Sequence, residues 1–365
     1  MRVFVPNKLK PLIIGDLEIK IPIIQGGMGV MVSKAPLASA VANCGAVGTI
    51  ASVGLGYGTT ENETDFVKAS HEGLQKEIRH TKELTSGVVG VNILVAISNY
   101  EDLARTAIVE HADFIISGAG LPLKLPEVTK GTAIKIIPIV SSGRAADIVL
   151  KTWKKRYDRL PDAIVVEGPL AGGHLGFKFD DLRSSHLELL ENLVLDVIKI
   201  VKEYEKRFNK KIPVIAAGGI FDGKDIAKFV KLGIDGVQMA TRFVATFECD
   251  VSDKFKQLYL NAGKNDVVII KSPVGMPGRA IKTKLIERIA EGAREPIQCN
   301  YRCLRSCDPR TVPYCIARAL FNAVSGDFDN AVVFAGSNVV RVNKIVHVKE
   351  LIDELVNEAV EELDK

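Results

Sequence analysis

The sequence predicts an α/β fold in which eight parallel strands close into a (β/α)8 TIM barrel, and three observations support this prediction. Short runs of β-branched and apolar residues alternate with longer amphipathic stretches. Most of the runs are continuously apolar, which is typical of strands that are buried on both faces of a parallel sheet. The strand–helix unit recurs eight times at regular spacing, which favours a closed barrel over a doubly wound open sheet.

The predicted strands cover residues 21–25, 46–52, 88–94, 112–117, 134–141, 163–167, 213–217 and 236–240. The helices between them are predicted at residues 34–43, 61–83, 99–110, 143–156, 185–207 and 222–232. Ser33 directly precedes the first helix and is predicted to be its N-cap, because serine caps helices well. After the eighth unit come a Pro/Gly-rich loop at 271–279, a cysteine-rich segment and an acidic helix at 348–364. We therefore expect a barrel domain over residues 1–265 and a C-terminal extension over 266–365.

Charge and hydropathy exclude several classes of protein. The 365 residues include 48 Lys and Arg and 44 Asp and Glu, and this net charge of +4 is too small to indicate a nucleic-acid partner. No segment reaches the roughly 20 apolar residues that span a bilayer, and charged residues interrupt the apolar residues near the N-terminus, unlike in a signal peptide. We therefore expect a cytoplasmic protein that acts on a small molecule. A homodimer is compatible with these features.

Glycine-rich segments follow several predicted strands, at the end of a barrel where active sites are built. They are QGGMG at 25–29, EGPLAGGHLG at 167–176 and AGGI at 217–220. Glycine lets the backbone approach a ligand closely, and backbone N–H groups in such loops bind phosphate. Because the loops after the seventh and eighth strands are the usual phosphate site of this fold, we expect a phosphate at Gly218, Gly219 and Thr241. An alternative interpretation is that these glycines only make tight turns.

His174 lies inside one of these glycine-rich loops. Imidazole gains and loses a proton near neutral pH, so His174 is predicted to exchange a proton with a substrate at the barrel mouth. The alternative is a loop residue that only hydrogen-bonds a backbone carbonyl.

Taken together, these loops resemble the nitronate monooxygenase family, whose superfamily also contains FMN-dependent enoyl-acyl-carrier-protein reductases. The resemblance spans roughly residues 10–280. It rests on the order and spacing of PIIQGGMG at 22–29, Val91-Asn92, AGGHLG at 171–176 and AAGGI at 216–220.

The resemblance implies FMN, bound noncovalently over the barrel mouth. Gly26, Gly27 and Met28 would line the isoalloxazine ring, and Asn92 would hydrogen-bond to it. The FMN phosphate would lie among the following residues: Gly172, Gly173, Gly218, Gly219, Ala240 and Thr241. His174 would be the catalytic acid or base. Where the family often has Glu, this chain has Leu170, and this departure leaves a polar contact and the substrate open.

Four of the six cysteines lie close together in the sequence, at Cys299, Cys303, Cys307 and Cys315. In a reducing compartment they are expected to be thiols or metal ligands rather than disulfides. Four thiolates suit a [4Fe–4S] cluster or structural zinc, and the absence of paired C-x2-C motifs favours the cluster. The first three cysteines, spaced by four residues, would align on one face of a helix. Unligated thiols are the remaining alternative.

Three functions are compatible with the sequence. The first is oxidation of alkyl nitronates with O2, in which His174 removes the α-proton of a neutral nitroalkane. The second is reduction of an enoyl thioester by NAD(P)H through FMN, in which His174 protonates the α-carbon. The loop at 271–279 would then help to shape the site, and an iron–sulfur cluster would favour this function. The third is a flavin-free barrel that binds a phosphorylated metabolite.

Overall fold

The computed structural model describes residues 9–56, 66–184, 186–299 and 302–365. The strands are β1 (Leu12–Ile14), β2 (Leu17–Ile19), β3 (Ile23–Gln25), β4 (Gly48–Ala51), β5 (Val89–Leu94), β6 (Phe114–Gly118), β7 (Lys135–Val140), β8 (Ile164–Glu167), β9 (Gly173–His174), β10 (Val214–Ala217), β11 (Gly236–Met239), β12 (Val267–Lys271), β13 (Pro277–Ile281) and β14 (Val333–Phe334). The helices are α1 (Ala35–Asn43), α2 (Phe66–Leu84), α3 (Tyr100–Val109), α4 (Leu125–Val128), α5 (Gly143–Tyr157), α6 (Leu190–Phe208), α7 (Gly223–Lys231), α8 (Thr241–Val244), α9 (Asp253–Asn261), α10 (Lys284–Ala290), α11 (Ile316–Ser325) and α12 (Val348–Asp364).

Eight parallel strands form a closed barrel in the order β3, β4, β5, β6, β7, β8, β10 and β11. The ring closes between β3 and β4, where the Gln25 N–H donates to the Val47 carbonyl and the Val47 N–H donates to the Ile23 carbonyl, both at 2.9 Å. The predicted TIM barrel is therefore confirmed. All eight predicted strands are present, and each of their ends lies within two residues of the predicted position.

The barrel strands alternate between an inner and an outer layer of side chains, as strand geometry requires. Along β8, Val165 packs in the apolar interior with Ile137 and Ile215, whereas Ile164 and Val166 pack with the surrounding helices. The hairpin β1–β2 contributes apolar side chains to the same interior. This hairpin was not predicted, because its three-residue strands are too short for a hydrophobic pattern.

The six predicted helices are present in the described part of the chain, although α6 begins only at Leu190 and not at residue 185 as predicted. The predicted helical residues 61–65 and 185 lie outside the described part. The prediction for Ser33 was wrong: Lys34 is the N-cap of α1. The Ser33 hydroxyl instead accepts a hydrogen bond from the Met28 N–H at 2.9 Å. Carboxylates from distant segments bind the free N–H groups of the first turn, since Lys34 N–H donates to Asp250 and Ala35 N–H donates to Glu77.

The C-terminal hundred residues form a cap over the barrel and one further barrel helix. Strand β13 pairs with β12, β14 and the short strand β9, so the loop that follows β8 becomes part of the cap sheet. The predicted loop at 271–279 is in fact the turn and the flanking residues of the β12–β13 hairpin. The acidic helix α12 packs on the outside of the barrel against α7 and α1. Among the helices that the structure describes, none is both long and apolar enough to cross a bilayer.

Candidate active site

One cavity at the carboxyl ends of the barrel strands brings together the residues that the sequence predicted for cofactor binding and catalysis. It is lined by Gly26, Gly27, Met28, Asn92, Gly172, Gly173, His174, Gly218, Gly219, Ala240 and Thr241, among others. These residues come from five separate segments of the chain, and the closed barrel places their segments at one end. Their proximity agrees with the prediction, whereas the role of each residue remains a prediction.

The floor of this cavity is polar, although the barrel interior below it is apolar. Gln238 lines the floor, and its Oε1 atom is buried without a hydrogen-bond partner among the described residues, as is Thr49 Oγ1. A Cβ atom added to Gly27 would lie 2.3 Å from Asn92 Cβ and 3.3 Å from Thr49 Cγ2. The backbone at Gly27 therefore packs directly against Asn92 and Thr49. Of the two unpaired atoms, Gln238 Oε1 belongs to a residue that lines the cavity.

In another part of the cavity, the backbone N–H groups of the loop after β10 are free to bind an anion. Gly218 and Gly219 have φ of +89° and +98°, which side-chain-bearing residues rarely adopt. Neither glycine N–H donates to an acceptor within the described ranges. Asn338 donates to the Gly219 carbonyl at 2.6 Å and so fixes the loop. Nearby, Thr241 Oγ1 accepts from the Gly336 N–H at 3.1 Å, which leaves the hydroxyl hydrogen for a ligand.

Gly172 has a packing role that its motif did not reveal. A Cβ atom at this position would lie 2.5 Å from the Gly336 nitrogen and from the Ala335 carbonyl carbon. Only glycine therefore allows the loop after β8 to meet the segment after β14. That segment, with Ala335, Gly336 and Asn338, also lines the cavity. The sequence did not predict this segment to be part of the site, because its position next to the barrel mouth depends on the folding of the cap.

His174 lies between the cap sheet and the cavity. Its Nε2 atom is 2.8 Å from Ser272 Oγ, and its ring meets the Phe334 ring edge-on with centroids 4.9 Å apart. Burial lowers the pKa of His174 to about 4, so the imidazole is neutral at pH 7. Ser272 Oγ already accepts from the Val274 N–H at 3.3 Å, and His174 Nε2 is an acceptor for its hydroxyl hydrogen. We therefore assign the imidazole proton to Nδ1 in the resting site.

Two further titratable residues at the site carried no signal that we recognised in the sequence. Glu167 ends β8 and lines the cavity, and burial raises its pKa to about 8. Arg279 on β13 is buried and donates through Nη1 to the carbonyls of Pro169 and Ala171, at 2.5 and 2.7 Å. Arg279 thus ties the loop that precedes His174 to the cap sheet. Burial lowers its pKa to about 10, so it remains charged at neutral pH.

The side of the cavity nearest the cap is apolar. Helices α9 and α11 and the cap sheet contribute Phe255, Tyr259, Leu320, Ala323, Val324, Val332 and Phe334. The Tyr259 hydroxyl donates to the Phe334 carbonyl, so it does not add a free polar group to this wall. A ligand in this part of the cavity meets hydrocarbon and aromatic surface.

In the residues that the structure describes, the cysteine segment is not arranged as the predicted metal centre. Within the described ranges, no group of three or more His, Cys, Asp or Glu side chains is arranged to hold a metal ion. The prediction that three cysteines share a helical face was wrong, because no helix covers residues 302–314 and Cys315 is the N-cap of α11. The four thiols are nevertheless neighbours: burial raises the pKa of Cys303 to about 12, and Cys315, Cys299 and Cys307 contribute electrostatically. The structure gives no support to bound zinc or iron–sulfur.

Comparison with known proteins places this site in a family. The nitronate monooxygenase family model matches residues 10–109 and 95–358. A carboxyl-CoA dehydrogenase of Mycobacterium tuberculosis, named for a 5-hydroxy-7a-methyl-1-oxo-octahydroindene substrate, is 31% identical over 76% of this chain and 68% of its own. A probable nitronate monooxygenase of Staphylococcus aureus is 29% identical over 75% of this chain and 79% of its own. The structure of FabK from Thermotoga maritima superposes with a TM-score of 0.74 and 28% identity, covering 100% of this chain and 98% of that one. The chain therefore belongs to the nitronate monooxygenase family of oxidoreductases.

Proposed function

We propose that this chain is an FMN-dependent oxidoreductase that oxidises alkyl nitronates with O2. The observation that carries the flavin assignment is the set of unpaired polar groups that line the cavity. Free N–H groups of Gly218 and Gly219 suit the FMN phosphate. The unpaired Gln238 Oε1 and the Asn92 side chain suit the polar edge of the isoalloxazine ring. Gly26, Gly27 and Met28 would lie along the ring, and Gly172, Gly173, Ala240 and Thr241 would complete the phosphate end.

Bound FMN supplies the electron acceptor, and the chain supplies the proton chemistry. A neutral nitroalkane must lose its α-proton before it becomes a nitronate, and His174 is the group in the cavity that suits this step. The imidazole is neutral at pH 7 because burial lowers the pKa of His174 to about 4, so one ring nitrogen can accept a proton. In the other neutral tautomer the proton is on Nε2, Nε2–H donates to Ser272 Oγ, and the unprotonated Nδ1 is the base; His174 must therefore exchange its Nδ1 proton before it can accept the α-proton.

The role of His174 as a base can be tested by comparing two substrates, a neutral nitroalkane and its preformed nitronate. We expect His174→Gln to reduce turnover of a neutral nitroalkane at least a hundredfold, the usual size of a general-base contribution. Turnover of the preformed nitronate should change little, because its proton has already left. FMN content, measured by absorbance after gel filtration, controls for loss of the cofactor. Equal loss of activity towards both substrates would contradict the role of His174 as a base.

The second candidate is an NAD(P)H-dependent reduction of an enoyl thioester, and a specific observation favours it. The apolar wall on α9 and α11 suits a hydrocarbon chain, and the similar mycobacterial enzyme is named for a CoA-linked substrate. The same β12–β13 hairpin that carries Ser272 would border the thioester. Rapid loss of flavin absorbance on adding NADH or NADPH without air, and none with a nitronate, would favour this function over nitronate oxidation.

A further inference from the structure

A single segment near the C-terminus joins the loops around the free N–H groups of Gly218 and Gly219. Residues 335–341, which we call the clasp, follow β14 and contribute three residues to the lining of the cavity. Neither proposed reaction assigns a role to the clasp. It is nevertheless part of the site, although 95 to 167 residues separate it from the barrel residues to which it bonds.

Two residues of the clasp bond to the segments that follow β8 and β11. The Ser337 N–H and hydroxyl both donate to the Leu170 carbonyl, at 3.1 and 3.2 Å. The Gly336 N–H donates to Thr241 Oγ1 at 3.1 Å. Because the clasp bonds to both segments, it fixes their relative position, and the Thr241 hydroxyl keeps its own hydrogen for a ligand.

Asn338 is the clasp residue that contacts the loop after β10. Its Nδ2 atom donates to the Gly219 carbonyl at 2.6 Å. This bond restrains a turn in which two consecutive glycines have positive φ and no side chain to limit their rotation. Nδ2 carries a second hydrogen, and no acceptor receives it among the residues that the structure describes. Because Asn338 lines the cavity, this hydrogen can be donated to a ligand.

A phosphate in this part of the cavity must be held by neutral donors. Among the described residues, no lysine or arginine belongs to the cavity lining. The guanidinium groups of Arg242 and Arg341 lie over the Phe221 ring, 4.7 and 4.2 Å from its centroid. Arg242 pairs with Glu354 at 2.7 Å and Arg341 pairs with Asp222 at 2.5 Å, so both cations already have counterions. Each neutral donor therefore contributes more to phosphate affinity than it would beside a free cation.

We propose that Asn338 is a positioning residue for the phosphate of FMN: its amide holds the Gly218–Gly219 turn and presents the second Nδ2 hydrogen to the phosphate. The inference rests on the proposed function, because it requires FMN in this cavity. It adds that the C-terminal extension determines how strongly the chain prefers FMN to riboflavin, which has the same ring and ribityl chain but no phosphate.

The test compares the dissociation constants of FMN and riboflavin, measured by flavin fluorescence with the full-length chain. We expect Asn338→Ala to raise the constant for FMN at least about tenfold, as for loss of a hydrogen bond to a charged group, and that for riboflavin less than about twofold. Asn43→Ala is the matched control, because Asn43 Nδ2 also donates to a backbone carbonyl, that of Leu84, at an exposed position outside the cavity. It should bind both flavins like the wild type.

Asn338→Asp separates the donor from the shape of the side chain. Aspartate has nearly the same size, but it cannot donate to the Gly219 carbonyl and its negative charge repels a phosphate. FMN should therefore bind more weakly to Asn338→Asp than to Asn338→Ala. Binding as tight as that of the wild type would mean that only the shape matters and would overturn the inference. This comparison uses FMN alone, so it also decides the matter if riboflavin binds too weakly to measure.

Two further outcomes separate the inference from the proposed function. If Asn338→Ala leaves the constant for FMN unchanged, or weakens FMN and riboflavin equally, the inference is overturned and the proposed function stands. If the wild-type chain binds neither flavin, both fail. Thermal unfolding without flavin checks that each variant is folded before its affinities are compared.

Discussion

Burial shifts the pKa values of two residues in the same cavity in opposite directions, and both shifts favour the neutral form. The pKa of His174 falls to about 4 and that of Glu167 rises to about 8, in each case because burial penalises the charged state. Near pH 7 the cavity thus holds a neutral base and a neutral acid. Neutral Glu167 carries no negative charge that would repel an anionic nitronate or the FMN phosphate, and neutral His174 has a ring nitrogen that can accept a proton.

The raised pKa of Glu167 predicts how the stability of the flavin-free chain depends on pH. Below pH 4.5 the carboxyl is neutral in both the folded and the unfolded state, so it has no effect. Between pH 4.5 and 8 the unfolded chain loses this proton while the folded chain keeps it. The contribution of Glu167 to the free energy of unfolding therefore falls by roughly a few kcal/mol over this range. In urea unfolding, Glu167→Gln should therefore gain stability over the wild type as the pH rises from 5 to 8. A pH-independent difference would contradict the buried position of Glu167.

The contact between Ser272 and His174 gives a second residue-scale prediction. Ser272→Ala removes the hydrogen bond that orients the imidazole, worth about 1 kcal/mol. We expect kcat/KM for a neutral nitroalkane to fall roughly five- to tenfold, and the value for the nitronate to stay close to that of the wild type. Ser272→Thr keeps the hydroxyl and should restore most of the activity. If Ser272→Ala and the wild type are equal on the neutral substrate, Ser272 does not position His174.

At the scale of elements, the strands could be predicted because buried parallel strands are continuously apolar and short, whatever packs around them. The glycine loops and His174 could be predicted because they directly follow those strands. Two features depended on distant segments and could not be predicted. Asp250 and Glu77 bind the N-terminus of α1, so Ser33 is free for Met28. Ser272 meets His174 from 98 residues away through the pairing of β9 with β13.

The pairing of β9 with β13 predicts that the cap controls the geometry of the cofactor loop. Arg279→Met removes two hydrogen bonds from a charged donor and leaves the Pro169 and Ala171 carbonyls buried without a partner, a loss of about 2–4 kcal/mol. We expect lower stability and weaker FMN binding, whereas Lys271→Met, on the exposed edge of the neighbouring strand, should leave both unchanged. FMN affinity equal to that of the wild type in a folded Arg279→Met chain would show that the loop holds its shape without the arginine.

At the scale of the whole molecule, the C-terminal extension forms the cap and also adds one helix, α12, to the outer layer of the barrel. The proposed boundary near residue 265 separates the barrel strands from the cap in sequence, yet α12 returns to pack against α7 and α1. A Cβ atom on Gly223, the first residue of α7, would lie 2.3 Å from the Ala359 nitrogen in α12. We therefore expect a chain ending at residue 265 not to fold.

Leu355 on α12 tests this packing by a single substitution. Its side chain is fully buried, so Leu355→Ala should lower the free energy of unfolding by about 2–5 kcal/mol. Glu361→Ala, at an exposed position on the same helix, should change it by less than about 0.5 kcal/mol. Urea unfolding followed by circular dichroism measures both variants. Similar stabilities for the two would contradict the contribution of α12 to the barrel.

The central claim is that this cavity binds FMN and that a nitronate delivers electrons to it. The most direct test is to load the purified chain with FMN, mix it with an alkyl nitronate in the absence of oxygen and follow the visible absorbance of the flavin. We expect the protein to retain FMN through gel filtration, the nitronate to bleach the flavin and air to restore its colour. A chain that retains no FMN, or a bound flavin that no nitronate bleaches, would contradict it.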